Sequence, residues 1–583
     1  MTDDVLRVAN CSGFYGDRLS GAKEMVEGGP IDVLTGDYLA ELTMLILLKD
    51  KAKDAERGYA RTFLRQLQQI ARTCSERDIK IVVNAGGMNP SGLADASQRL
   101  LEAEGLDGKV AYIEGDDILD RLDELQAQGE TLAHFDRGMP LSDLEDEVLS
   151  ANVYLGGWGI VEALSRNADL VLCPRVTDAA VVVGPSAWRF GWQRTDWDQL
   201  AGAVVAGHII ECSAQATGGN YSFFHEIDSL ERPGFPIAEM HADGSFVVTK
   251  HEGTDGEVSV GTVTAQLLYE VQNERYFNPD VVVRMDTIRL EQEGKDRVRV
   301  WGIRGEPAPD QLKVCMNYLG GYKNSMTFML PGLDAAKKAE VAERAFWSHV
   351  GGEEQFEETK TTFRRGGEEG HENFALLTVA ARDRDDQKVG RKFWNAAIEM
   401  ALANYPGFQT VHSSRVAQAI SIYWPALVGK DKIDETVVIG DERIAVPPAP
   451  AGEPVAIDLP ERPEGTAASG TTRQAPLGAI AGARSGDKGG NANVGFWTRS
   501  AEAYLWLEEF LTEDKLRDLY PEAAALEVRR TLLPNFRAMN FVLVGLLGYG
   551  VAASLRPDPQ AKMVGEEIRN RKVPIPESLL GHP

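Results

Sequence analysis

Residues 6–37 read LRVANCSGFYGDRLSGAKEMVEGGPIDVLTGD, and the spacing of their apolar positions sets the architecture. Short apolar runs predict strands over residues 6–11 and 31–35, and a period near 3.6 predicts a helix over 18–26 between them. The beat repeats, with helices over 37–49 and 57–76, a strand over 79–84, a helix over 93–103 and a strand over 109–113. Residues 117–128, 158–166, 168–173 and 179–188 continue it. Such alternation predicts an α/β domain whose mostly parallel sheet is flanked by helices. From about residue 247 the pattern becomes β-rich, with helices over 335–350 and 392–404. The expectation is one large domain, residues 1–445, with an α+β second half and a change of pattern near 245. Residues 446–474, rich in Pro, Gly, Ser and Thr, read as a linker. Residues 475–583 form a small α+β unit in which 541–555 is expected to be a buried helix, too short to span a membrane.

Composition narrows the function. With 43% hydrophobic and 26% charged residues the chain is globular rather than disordered. A formal charge of −27 argues against a nucleic-acid-binding surface, so no nucleic-acid partner is expected, and makes any local gathering of Arg and Lys notable. Cys11, Cys74, Cys173, Cys212 and Cys315 form no C-x-x-C pair and fit reduced thiols, and residues 1–13 lack a signal-peptide pattern, so a cytoplasmic location is expected. Nine histidines without an H-E-x-x-H pattern give no metal site, and no cofactor or membrane partner is expected.

Ligands in open parallel sheets bind beyond the carboxyl ends of the strands. Candidate site residues are therefore Asp37, the turn Asn84, Gly86, Gly87 and Asn89, and the pair Arg175 and Asp178. The guanidinium fork of Arg175 suits a carboxylate or phosphate, and Asp178 also stands where the N-cap of the next helix belongs. In HIIECSAQATGGNYS, residues 208–222, a helix ends amid Glu211, Gln215, Thr217, Gly218, Gly219 and Asn220, which reads either as a capped helix terminus or as a substrate-lining segment. ARSGDKGGNANVGF, residues 483–496, reads as a glycine-rich loop carrying Arg484, Ser485, Asp487, Lys488 and Asn491. Its glycine spacing does not match a Walker motif, which excludes the ATPase reading.

These stretches together resemble the acyclic terpene utilisation AtuA family. The resemblance runs through GDRLSGAKEMVEGGPIDVLTGDYLAE, NAGGMNP, RVTDAA, HIIECSAQATGGNYSF, PGFPIAE and VGTVTAQLLYE in the large domain, and ARSGDKGGNANVGF and LPNFRAMNFVL in the small one. It implies a role in breaking down citronellol- and geraniol-type terpenes through acyl-CoA thioesters. It also implies a ferredoxin-like fold for the small domain, which in other members is missing or separate.

The expected activity is a cofactor-independent lyase, a hydratase or C–C lyase, acting on a branched acyl-CoA or carboxylate. Its base would be Glu211 or Asp37, and Arg175, Asp178, Asp487 and Lys488 would complete the catalytic set. The remaining candidates would bind substrate, with the small domain folding back so that 483–496 supplies half of a shared site. The alternatives are a non-catalytic subunit assisting a biotin-dependent acyl-CoA carboxylase, and a thioester hydrolase. Assembly as a homo-oligomer is expected.

Overall fold

The computed structural model describes residues 5–366 and 374–581. At its centre lie five parallel strands in the order Leu6–Asn10, Val33–Gly36, Lys80–Val83, Leu170–Leu172 and Val110–Glu114. Almost every side chain in the middle three is buried, as expected of strands covered by helices on both faces. One such helix, Arg61–Arg77, turns Phe63, Leu67, Ile70, Ala71 and Cys74 inward at spacings of three and four. Antiparallel strands extend the sheet to eleven. Pro236–Met240, Phe246–Lys250, Arg297–Trp301 and Arg289–Gly294 add to one edge, and Thr436–Ile439 and Glu442–Ala445 to the other.

A second sheet of six strands is organised by Gln311–Pro331, 21 residues long. Its first half lies between Gln418–Gly429 and Val148–Val153, and its second half between Phe374–Asp383 and Gln409–Ser413. The register shifts between Leu319 and Tyr322, where Gly321 adopts φ +94°. Helices Ala335–Val350 and Phe393–Glu399 bury Phe346, Trp347 and Phe393 against the second half.

The C-terminal unit is an antiparallel sheet in the order Ala481–Lys488, Asn491–Thr498, Ala538–Leu543 and Val528–Leu533. Two expectations are corrected by this sheet. The glycine-rich stretch is not a loop but a hairpin turning at Gly489–Gly490, with Gly489 at φ +61°. The run 541–555 is not a helix: Ala538–Leu543 is a strand, and positive φ at Gly545, Gly548 and Gly550 breaks the residues after it into turns. Its Phe-Val-Leu-Val start favours the pleated conformation, and the glycines stop any helix from propagating.

Strand alternation divides the faces of this sheet. Ala481, Ala483, Ala492, Val494 and Phe496 point into a core shared with helices Ala501–Phe510 and Val564–Arg569. Gly482, Arg484, Gly486, Lys488, Asn491, Asn493, Gly495 and Trp497 occupy the opposite face, which is laid on the large domain. Close approach explains the glycines: a Cβ on Gly486 would stand 2.3 Å from the Tyr269 ring, and one on Gly495 2.6 Å from Leu268. No helix of the described residues is long and apolar enough to cross a membrane.

Candidate functional site

Three strand ends of the central sheet converge on a buried polar cluster. Asp37 follows Val33–Gly36 and is 7% exposed, and its Oδ1 accepts from the Leu39 amide at 3.0 Å and from Asn84 Nδ2 at 2.5 Å. Asn84, wholly buried after Lys80–Val83, also accepts the Tyr38 amide at 2.7 Å, so the two strand ends are locked together. After Leu170–Leu172 comes Arg175, 1% exposed, whose guanidinium donates to the Val176 carbonyl, pairs with Asp178 and lies 4.4 Å from the Tyr154 ring. Asp178 does not cap the next helix. That helix begins at Ala180 with no side-chain cap, and the carboxylate is drawn to Arg175 instead. Burial works against the Arg175 charge, but Asp178, Tyr154 and Asp37 outweigh it and fix the guanidinium as a permanent cation.

The cluster gains its acid from a helix end. Trp197–Ile210 stops beside the strand Leu6–Asn10, where Asn10 Nδ2 donates to the carbonyls of Ile210, at 2.5 Å, and Glu211, at 3.1 Å. This anchors Glu211, which is 6% exposed. Its Oε1 lies 3.3 Å from His208 Nδ1, without hydrogen-bond alignment, and its Oε2 is buried without a partner among the described residues. Burial first, then the charges of Asp178 and Glu270, push the Glu211 carboxyl well above the usual range, while Lys488 and Arg175 pull it back. Asp37 is raised in the same way by burial and Asp178. His208 is lowered to about 4 by burial and then by Lys488, against the opposing pull of Glu270 and of the Leu267 and Gln266 backbone, so its ring is neutral near pH 7, and neither nitrogen makes an aligned hydrogen bond among the described residues. Tyr276, with its ring 5.3 Å from that of His208, has its phenol raised by burial and by Glu211.

The small domain roofs this cluster. Lys488 Nζ stands 3.8 Å from Glu270 Oε2. Arg484 lies 4.4 Å from the Tyr269 ring, donates to the Asn220 carbonyl at 3.4 Å and keeps Nη2 buried without a partner among the described residues. Two asparagines hold the segment between these side chains. Asn493 donates to the Leu268 carbonyl at 2.9 Å and accepts the Glu270 amide at 2.8 Å, and Asn540 donates to the Val271 carbonyl at 2.7 Å. They fix Glu270 at φ +62°, a left-handed conformation uncommon for a residue other than glycine.

The structure thus brings together Asp37, Asn84, Arg175, Asp178, Glu211, Arg484 and Lys488. Other candidates are engaged elsewhere. The Gly86, Gly218 and Gly219 amides donate to the carbonyls of Cys173, Gln215 and Ala214, and Gly87, at φ +50°, packs against Leu47. Asn89 caps the helix Pro90–Ala103, and Thr217 donates to the Gly234 carbonyl at 2.6 Å. Gln215 accepts from Asn220 at 3.4 Å. Ser485 faces the small domain's own helix, donating to Lys562 and accepting from Gly565. Asn491 ties the hairpin to Asp136 at 3.0 Å, whereas Asp487, half-buried near the end of its strand, stays within electrostatic reach of the cluster and helps to raise the Tyr269 phenol. Sequence reasoning misses His208, Tyr269, Glu270 and Tyr276. His208 opens the segment 208–222 but carries no pattern of its own, and only folding brings Tyr269, Glu270 and Tyr276 to the same cluster as Glu211.

A family model described as acyclic terpene utilisation family protein AtuA matches residues 6–439, and one described as AtuA ferredoxin-like domain matches residues 475–574. No curated protein and no solved structure matches the chain.

Proposed function

From the premise that the chain belongs to the acyclic terpene utilisation family AtuA, we propose that the cluster under the small domain is the active site of a lyase, adding or removing water on an acyl-CoA or carboxylate. The observation that carries this reading is the unpartnered buried pair: Glu211 Oε2 and Arg484 Nη2 have no hydrogen-bond partner among the described residues. Leaving such atoms unmet costs about 1–3 kcal/mol each, so they favour something bound.

The chemistry follows from the paired environments. In the dehydration direction, Glu211 or Asp37 takes the proton from the carbon beside the carbonyl, and the C–H electron pair moves into an enolate. Lys488 and Arg484 offset the charge gathering on the enolate oxygen in a site shielded from water. The electron pair then forms the C=C bond as the β C–O bond breaks, and the hydroxyl leaves as water with a proton from the other acid. Two carboxyls beside fixed cations suit this exchange, because a raised pKa brings each closer to the working pH. Arg175 already spends donors on Val176 and Asp178. It therefore sets the local charge and orients Asp178.

The test is incubation of the purified protein with 3-hydroxyacyl-CoA and 2-enoyl-CoA thioesters, followed by mass spectrometry for gain or loss of one water. No turnover, with tight co-purification of a biotin-dependent acyl-CoA carboxylase, would replace this reading by that of an accessory subunit.

A further inference from the structure

The six-stranded sheet ends in an open edge. Its outermost strand, Glu358–Gly366, pairs all nine residues with Phe374–Asp383 without a bulge, and among the described residues no backbone bond reaches its outer side. A flat edge of that length is a template for another strand unless proline, a bulge or guarding charges spoil it. The strand has no proline, its Thr359, Thr361, Thr362 and Phe363 favour pleated backbone, and the Phe363 side chain is left 39% exposed. Thr361 accepts from Trp347 of the covering helix at 3.3 Å, so by alternation Lys360 and Arg364 take the other face. There they are drawn onto the small domain, 3.9 Å from Glu522 and 3.1 Å from Glu567, instead of guarding the edge.

The charges of EETKTTFRR, residues 357–365, run from acidic to basic. A two-fold axis between antiparallel strands sets one residue opposite its own copy, because opposed pairs alternate in kind along the ladder. With Thr361 on the axis, Glu357 faces Arg365 of a second copy, Glu358 faces Arg364, and Thr359 faces Phe363. With Thr362 on the axis Lys360 would face Arg364, and with Lys360 on it that lysine would face itself. The outer charges are available for this pairing. Arg365 is exposed and enters no ion pair among the described residues. Glu357 is loosely held, since Arg384 gives its two Nη atoms to Asp146 at 3.0 and 2.9 Å and reaches Glu357 through Nε at 3.5 Å. Glu358 lies 3.1 Å from Arg382 but keeps part of its carboxylate in solvent. We propose that two copies of this chain join edge to edge through Glu358–Gly366, antiparallel about Thr361, so that the six-stranded sheet of one runs on into that of the other. Each opposite-charge pair and each Phe363 contact then occurs twice. The join does not depend on what the cluster under the small domain catalyses.

The experiment is sedimentation equilibrium of the full chain, with hydrogen exchange read over residues 358–366. The expected mass is about twice 63.7 kDa, and the amides of the strand should lose protection on dilution. Arg365→Glu sets like charges opposite each other twice and is expected to raise the dimer Kd about tenfold or more. Adding Glu357→Arg to Arg365→Glu restores opposite charges in reversed order and is expected to recover the affinity, each variant being checked by an unchanged circular dichroism spectrum. A monomer at every concentration, a dimer whose strand amides gain no protection, an unchanged Kd in Arg365→Glu, or a double variant no tighter than the single one would overturn the proposal.

Discussion

At the scale of single residues, the molecule buries carboxyl groups where water cannot help ionise them, and two consequences can be measured. Glu211→Gln keeps the shape of the side chain and removes the acid–base function proposed for it. Turnover is expected to fall by about 10²–10⁴, the usual contribution of a general acid or base. Because the buried carboxyl favours its neutral form, the amide should leave the melting temperature at pH 7 unchanged or higher. A collapse in stability would instead make Glu211 a structural residue. Asp116, behind Arg175, carries the second consequence. Its Oδ2 accepts from Asn152 at 2.8 Å and from the Arg175 amide at 3.2 Å, yet burial raises the carboxyl from 3.8 to about 7. A folded-state pKa above the unfolded one means that the folded protein holds the proton longer. The stabilisation is therefore complete below about pH 4 and is lost as pH rises toward 7. Asp116→Asn should flatten the decline in denaturation free energy across that window, and an unchanged slope would show that Asp116 does not titrate there.

At the scale of elements, the central parallel strands were legible because local spacing and tertiary role agree: each is a short apolar run between amphipathic helices. Asp37, Asn84 and Arg175 could be found for the same reason, since topology alone places strand ends at the crevice. The hairpin Ala481–Lys488 with Asn491–Thr498 was not legible. Gly482, Gly486 and Gly495 look like loop composition, yet each is small because a bulky neighbour lies against it, a demand no local pattern carries. Gln311–Pro331 was hidden similarly, its alternation interrupted at Gly320–Gly321 where the strand changes partners. Glu270 was missed because its left-handed backbone is imposed by Asn493 from 223 residues away. The close approach at Gly495 can be tested directly. Gly495→Val should wedge the sheet away from Leu268 while leaving the small domain's core on the opposite face intact. The expected result is a small domain that stays folded by hydrogen exchange, faster exchange in residues 268–272, and greatly reduced turnover. Full activity would mean that the contact yields without cost.

At the scale of the whole molecule, the question is whether the linker or the interface holds the domains together. Residues 452–466 run mostly exposed and form no strand or helix. The interface, by contrast, is made of buried amide hydrogen bonds through Asn493 and Asn540, the aromatic packing of Trp497 on Tyr221 and Phe223, and the Arg137 side chain 4.1 Å from the Tyr549 ring. Replacing 453–458 by a specific protease site and cutting the folded protein should thus leave two fragments that co-elute in gel filtration and retain activity. Because the asparagine contacts are uncharged and buried, co-elution should persist in about 1 M salt, where exposed charges are screened within roughly 3 Å. Combining the cut with Asn493→Ala and Asn540→Ala removes the hydrogen bonds that fix residues 268–272. At about 1–3 kcal/mol for each group left unsatisfied, the fragments should then separate, and activity should vanish with Lys488 and Arg484. Fragments that part without those substitutions would assign the docking to the covalent linker rather than to the asparagine face.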